Sequence, residues 1–367
     1  MPKPAILPGP EALTAEWLTT ILRASGVIED ARVTRFESAS LGEGVGILGQ
    51  LIRVSLAYAG DASRAPRSLI AKFPTTVPEN RAIGHGLGHY AAEIDFYDQL
   101  ADQVSLRIPR PYHTALNRET GDFTLILEDL APAVPGDQVA GSTREQAAAA
   151  IGEIARFQAE WWGNVDTSAM TWLRSFGLES FGRTVQMAYM ASWEPCIANF
   201  GDDWTPTVID AGKRLGPVIP AMMTHIASAP CTIIHGDYRL DNLFFGDVPG
   251  GAPVAVVDWQ ISGKGRGPYD VGYYMSQSVP AQLRREIEEE VVRDYHRQLV
   301  DAGVRGYTFD DTWRDYRYAI MFCLVYPVVV LGSMDLANTR GVTLGRATLE
   351  RSVCSIDDLN ADELLPD

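Results

Sequence analysis

Two stretches constrain this chain more than any other feature: "IIHGDYRLDNLFFG", residues 233 to 246, and "VAVVDWQ", residues 254 to 260. Both are strongly apolar and short, so both read as buried strands. Yet Asp237, Arg239, Asn242 and Asp258 stand at their ends. A buried charge is costly unless it is paired or hydrogen-bonded. A chain that sets ionisable groups against its own core must supply partners for them. Rigid strand ends are also where a reacting group is held with least freedom.

The pattern around these stretches changes along the chain. Leu13, Trp17, Leu18, Ile21 and Leu22 recur at helical spacing between Pro10 and Gly26, which predicts a helix over 11–25. The period then shortens. "ARVTRFES" (31–38), "QLIRVSLAY" (50–58) and "SLIAKF" (68–73) read as strands, with the glycine-rich "LGEGVGILG" between the first two. Residues 74–89 read as a mobile loop that carries His85 and His89, and 90–104 as a helix. "FTLILEDL" (123–130) reads as a buried strand that runs into "APAVPG", a linker by its prolines and glycine.

Beyond residue 141 the pattern is helical. Ser142 or Thr143 is placed to cap the first helix. In the helix ending at Gly303, Arg284 and Glu288, like Arg285 and Glu289, have the spacing of pairs on a solvated face. The last 13 residues carry five acids and no base, which predicts a loose tail. The expected organisation is a small strand-rich lobe over 1–130 and a larger helical lobe over 131–367.

With 367 residues and 46% hydrophobic content, the chain can bury a large core. Its net charge of -16 argues against nucleic acid or anionic membrane as the main partner. The cysteines (Cys196, Cys231, Cys323, Cys354) have no metal-site spacing. The most apolar run, "YAIMFCLVYPVVVLGSM" (318–334), is interrupted by Pro327 and reads as a buried helix kinked or ended there, not as a membrane span. The start, "MPKPAILPGPEAL", lacks a long apolar core, so the expected location is cytoplasmic.

Three features bear on chemistry. Gly44, Gly46 and Gly49 form a GxGxxG run, but a strand follows it where a dinucleotide fold would place a helix. Strand, glycine loop and strand can fold backbone N–H groups over phosphates, and can equally be a plain hairpin. Lys72, inside an apolar strand, needs a partner unless the strand is an exposed edge; Glu93 on the next helix is the candidate. Phosphoryl transfer requires a carboxylate for the attacking hydroxyl, oxygen ligands for Mg²⁺, and positive charge facing the moving group. Asp237 fits the first role, Asn242 and Asp258 the second, and Arg239 the third.

Together, "HGDYRLDN" and "VVDWQ" resemble the catalytic loop and metal segment of the aminoglycoside phosphotransferase and choline kinase superfamily, a branch of the protein-kinase-like fold. The resemblance spans roughly residues 35 to 275. It implies an α+β, two-lobed fold: a small N-terminal antiparallel-sheet lobe and a larger, mainly helical C-terminal lobe. It implies ATP and Mg²⁺ as cofactors, with Asp237 as catalytic base and Asn242 and Asp258 on the metal. Lys72 would contact phosphates and pair with Glu93, beneath the loop of Gly44, Gly46 and Gly49. The backbone of Glu128 and Leu130 would meet the adenine. Asp270 resembles a carboxylate that braces the catalytic loop, or else it caps a helix. His235 is expected to pack structurally.

Where many antibiotic kinases read His-Pro-Gly-Asn, this chain reads Arg239-Leu240-Asp241-Asn242. That departure is more similar to the ecdysteroid-kinase-like branch and to kinase-like domains that act on hydroxyacyl thioesters. The implied activity is transfer of phosphoryl from ATP to a hydroxyl of a small molecule, whose pocket the helical lobe would build. A catalytically silent nucleotide-binding regulator is the alternative, and a nicotinamide-dependent oxidoreductase, read from the glycines alone, a third.

Overall fold

The computed structural model describes residues 4–41, 48–202 and 204–366. The chain divides into two compact units, 1–132 with 258–261 and 133–257 with 262–367. Gly44 and Gly46 lie outside the described residues.

In the first unit, Thr14 caps helix α1 (Ala15–Ala24) by accepting a hydrogen bond from Trp17 N. Strands β1 (Arg32–Ser40), β2 (Gly49–Ala59) and β3 (Ser68–Pro74) follow, then helices α2 (Pro78–Gly86) and α3 (His89–Gln99), then strands β4 (Pro111–Leu116) and β5 (Phe123–Glu128). All five strands form one antiparallel sheet in the order β1-β2-β3-β5-β4. Leu69, Ala71 and Phe73 of β3 are fully buried in a core shared with Leu18, Ile21 and Leu22 of α1. Strand alternation turns Lys72, between them, to the other face of the sheet. There it lies opposite Leu51 of β2 and Leu125 of β5. Residues 74–89 are not the loop the sequence suggested. Pro78 opens α2 as a first-turn proline, and Gly88, in the left-handed region at φ 71, separates α2 from α3.

The second unit begins with β6 (Val134–Pro135) and α4 (Arg144–Trp161), whose start is a capping box of Thr143 and Gln146. Helices α5 (Glu179–Phe200) and α6 (Pro206–Ile226) lead to β7 (Thr232–Ile234), β8 (Leu243–Phe245), β9 (Ala255–Val256) and β10 (Gly263–Gly265). The remainder is helical: α7 (Pro268–Gln277), α8 (Ala281–Asp301), α9 (Phe309–Cys323), α10 (Val325–Ser333) and α11 (Thr339–Leu359). Strands β6, β8 and β9 form one small sheet, and β7 pairs with β10. Helix α7 packs on α9, α4 on α8, and α5 on both α6 and α10. The class is therefore mixed helix and sheet, with a five-stranded antiparallel N-terminal sheet and a helical C-terminal part.

The apolar run 318–334 is divided between α9 and α10 at Leu324. Pro327 has no N–H for Cys323 O and its ring would clash there; Gln277 Nε2 donates to that carbonyl instead, at 2.8 Å. Among the described residues, Phe309–Ser333 is long and apolar enough to cross a membrane, and 67% of its apolar window is buried inside the fold.

Two sequence expectations fail in this unit. Arg284 is fully buried, not solvated, because Glu288 and Tyr316 cover it: its guanidinium meets Glu288 at 2.8 Å, and Tyr316 donates to the same carboxylate. Arg285 pairs with Asp358 of α11, not with Glu289. The acidic C-terminus is not a loose tail either. Ile356, Ala361 and Leu365 are buried, and Arg317 donates to Leu359 O (2.8 Å) and Asn360 O (2.6 Å). Asp358 and Glu363 lie on the exposed side of a segment whose apolar side packs.

Candidate active site

In the first unit, Lys72 is the centre of a charged cluster. Its Nζ lies 2.7 Å from Glu93 Oε2 and 2.9 Å from Asp258 Oδ1. Burial works against the ammonium, but Asp258 and Glu93 outweigh it and hold Lys72 above the ordinary lysine range. Glu93 is itself raised: burial is the main cause, and Asp258 adds to it against the pull of Lys72. One ammonium thus faces two carboxyl groups, and burial with Asp258 favours a proton on Glu93 while Lys72 opposes it. Gly49, which opens β2, keeps this side of the sheet clear: a Cβ there would meet Phe73 O at 3.2 Å and Lys72 Cε at 3.3 Å.

Asp258 reaches the first unit although its neighbours in sequence, β9 and β10, belong to the second. It adopts φ 66, a left-handed conformation that costs a non-glycine residue of order 1–3 kcal/mol. Helix α3 holds the segment at three points. His89, Glu93 and Phe96 stand at i, i+4 and i+7, one face of the helix. His89 Nδ1 is 3.1 Å from Gln260 O. Glu93 reaches Asp258 through Lys72. Phe96 stacks on Trp259, with ring centroids 3.8 Å apart and planes within 6°. His89 is therefore a buried anchor, not part of a mobile surface loop. At the end of β5, the Glu128 carboxylate takes Arg107 Nη2 (2.6 Å) and Arg110 N (3.0 Å), while its own N–H donates to Arg110 O. Leu130 is buried.

In the second unit, β7 ends in His235-Gly236-Asp237. Gly236 has φ 85, which glycine alone adopts freely. The Asp237 carboxylate receives three donors: Tyr273 Oη at 2.7 Å and Arg239 Nε at 3.1 Å on Oδ1, and Asn242 Nδ2 at 3.0 Å on Oδ2. Burial pushes this carboxyl up, but Arg239, Tyr273, His235 and Asn242 outweigh it and hold it below the usual carboxylate range. Asn242 Nδ2 also donates to Asp237 O at 2.9 Å, so both amide protons point back into the loop and Oδ1 is left as an acceptor. Asp241 Oδ2 fixes the other end of Arg239 at 2.7 Å. His235 packs as expected: it is fully buried, Nε2 lies 2.9 Å from Val257 O, and Nδ1 accepts from Asp237 N.

Asp270 braces this loop. It accepts from His235 N (2.8 Å), Gly236 N (3.0 Å) and Gln158 Nε2 (2.8 Å), and Tyr295 orients Gln158 in turn at 2.6 Å. Burial pushes the Asp270 carboxyl up to about 7 against those donors. The folded chain therefore binds more protons at Asp270 than the unfolded chain does between about pH 4 and 7, and its contribution to stability falls as pH rises through that window. Asp270→Asn offers one acceptor oxygen to three donors, which is expected to cost about 1–3 kcal/mol. The deficit relative to the parent protein should be larger at pH 4.5 than at pH 7, read from urea melts at both.

Sequence reading did not find Tyr273, Gln158 or the Phe96–Trp259 stack. Tyr273 carried one signal: it stands one helical turn beyond Asp270 in "GPYDVGYY" and so shares its face.

A model of the phosphotransferase enzyme family matches residues 65–309. No curated protein matches the chain. Among solved structures, a candidate aminoglycoside phosphotransferase from Ralstonia eutropha JMP134 superposes with a TM-score of 0.57 at 15% identity, covering 96% of this chain and 99% of its own. The GDP complex of wild-type aminoglycoside 2'-phosphotransferase-IIIa gives 0.51 at 16%, covering 93% and 99%. The amicoumacin kinase hAmiN, in complex with AMP-PNP, Ca²⁺ and amicoumacin, gives 0.51 at 13%, covering 91% and 92%. At these identities the likeness is one of fold.

Proposed function

Because the chain belongs to the phosphotransferase enzyme family, we propose that it moves the γ-phosphoryl group of ATP to a hydroxyl of a small molecule, with Mg²⁺ as the metal. The observation that carries this reading is the Asp237 carboxylate, kept ionised by Arg239, Tyr273 and Asn242 in a rigid loop. Asp237 accepts the acceptor's proton as its oxygen attacks phosphorus. The acceptor O–P bond forms, the bond to the β-bridging oxygen breaks, and its electron pair leaves on ADP. Arg239 offsets the charge beside the base. Lys72 serves the nucleotide's phosphates, and the backbone of Glu128 and Leu130 the adenine. Gly44, Gly46 and Gly49 serve the phosphates with Lys72.

The donors proposed for Mg²⁺ are hard oxygens, as the metal requires: the Asn242 amide oxygen and the Asp258 carboxylate. Among the described residues no group of three or more His, Cys, Asp or Glu could hold a metal ion. Mg²⁺ in a phosphotransferase site draws most of its ligands from phosphates and water. When bound, it neutralises charge on those phosphates.

The Arg239-Leu240-Asp241-Asn242 loop supports assigning the chain to the ecdysteroid-kinase-like branch as part of this proposal, and the use of ATP fits a cytoplasmic setting. The test is an ADP-release screen over hydroxylated lipids, steroids, hydroxyacyl thioesters, sugars and aminoglycosides. ATP that neither binds nor turns over with any of them would remove the proposal.

The grip of α3 on the 258–261 segment gives a separate expectation. Phe96→Leu keeps the helix apolar but removes the stack on Trp259. Nucleotide affinity in Mg²⁺ should fall about 3- to 10-fold, while affinity in EDTA stays unchanged, since an aromatic pair contributes roughly 0.5–1.5 kcal/mol. Titration of a fluorescent ATP analogue under both conditions measures the difference.

A further inference from the structure

Building on the reading of Asp237 as the base, we infer that Oδ2 is the oxygen that receives the acceptor's proton, and that Tyr273 is the positioning residue that reserves it. A carboxylate oxygen offers two in-plane lone pairs. On Oδ1 both are filled, by Tyr273 Oη at 2.7 Å and Arg239 Nε at 3.1 Å. On Oδ2, Asn242 is the one donor among the described residues, at 3.0 Å. The vacant lone pair of the carboxylate is therefore on Oδ2.

Tyr273 is built to hold this arrangement. Its ring is buried against Tyr326, with centroids 4.8 Å apart, and lies on α7 one turn beyond Asp270. The helix whose carboxylate fixes the backbone of His235 and Gly236 thus also fixes the side chain of Asp237. Burial and the adjoining Asp237 charge keep the phenol protonated, so it remains a donor. Phenylalanine would fill the same space, and the hydroxyl is what distinguishes the residue.

In the step itself, the acceptor's O–H proton passes to Asp237 Oδ2 while the acceptor oxygen's electron pair forms the bond to the γ-phosphorus, and the departing pair stays on ADP. Without the Tyr273 hydroxyl, Oδ1 regains a lone pair. The carboxylate can then turn or take a water there, and a smaller fraction of encounters has Oδ2 aligned.

The experiment compares the parent protein, Tyr273→Phe, Asp237→Asn and the double variant in ATP hydrolysis at saturating Mg-ATP, with water as the acceptor. Tyr273→Phe should lower kcat by about 10- to 150-fold, the range for losing one hydrogen bond to a charged group. The KM for ATP should stay within about two-fold, because the interaction acts in the transition state. In the Asp237→Asn background the same substitution should change the rate by less than about two-fold, since residues that act as one unit are not additive.

An equal loss in both backgrounds would overturn the inference, because Tyr273 would then act through packing; so would an unchanged kcat in Tyr273→Phe. Tyr273→Leu, a second variant without the hydroxyl, should repeat the dependence on background. Asp237→Asn with full activity would instead overturn the reading of the base on which this one stands.

Discussion

Asp237→Asn is expected to lower turnover by about 10²- to 10⁴-fold, the usual effect of losing a general base, with nucleotide binding kept. The hydrogen bonds around residue 237 decide how the new amide would sit. Tyr273 and Arg239 both donate to the Oδ1 position, so the asparagine must present its oxygen there. Its NH₂ group then occupies the Oδ2 position, where it opposes the NH₂ of Asn242 and cannot accept a proton. The bonds from Tyr273 and Arg239 are kept, the side-chain bond from Asn242 is lost, and so is the basicity. Coupled ADP release gives the rate, and titration with ATP in the presence of Mg²⁺ gives the binding. Turnover equal to that of the parent protein, on an acceptor it demonstrably phosphorylates, would take Asp237 out of the base role.

The parts of this fold that could be read in advance are those in which local pattern and tertiary need agree. The change from period two to period 3.6 separates the sheet from the helices, and Thr143 with Gln146 is a cap that any helix start would reward. Lys72 is legible because a lysine flanked by Ala71 and Phe73 demands a counter-charge, and Glu93 is the first acid of the helix that the pattern predicts over 90–104. Asp258 as its second partner is not legible, since that contact spans 186 residues and depends on the segment 258–261 joining the first unit.

The failures have one physical pattern. Arg284, His89 and the acidic C-terminus all look solvated when only their own neighbours in sequence are considered. Each is covered by an element from elsewhere: Tyr316 of α9 over Glu288 and Arg284, Gln260 over His89, and Arg317 against the C-terminal turn. Charge density along a chain reports hydration only for faces that nothing packs upon. Tyr273 escaped for a related reason. An aromatic at helical spacing is usually core, and its ring does pack there; its hydroxyl, which touches Asp237, has no signature of its own in the sequence.

Lys72→Met is the second large effect to expect, and it separates the ion pairing of Lys72 from the phosphate contact proposed for it. Removing the ammonium leaves Glu93 and Asp258 facing one another, with Glu93 buried. Breaking such a pair from one side costs about 3–5 kcal/mol, so the melting temperature should fall by several degrees. Turnover should fall by about 10²- to 10³-fold, the loss seen when a preorganised donor to developing charge is removed. Stability loss alone cannot account for the second figure if the folded fraction is measured. Adding Glu93→Gln to Lys72→Met removes one of the two opposed carboxylates. That double variant should regain much of the lost melting temperature, because the repulsion is gone, yet none of the turnover, because no cation faces the phosphates. Recovery of both together would show that Lys72 serves only to neutralise its neighbours. Recovery of stability without activity is the outcome expected of a lysine whose charge acts on the nucleotide.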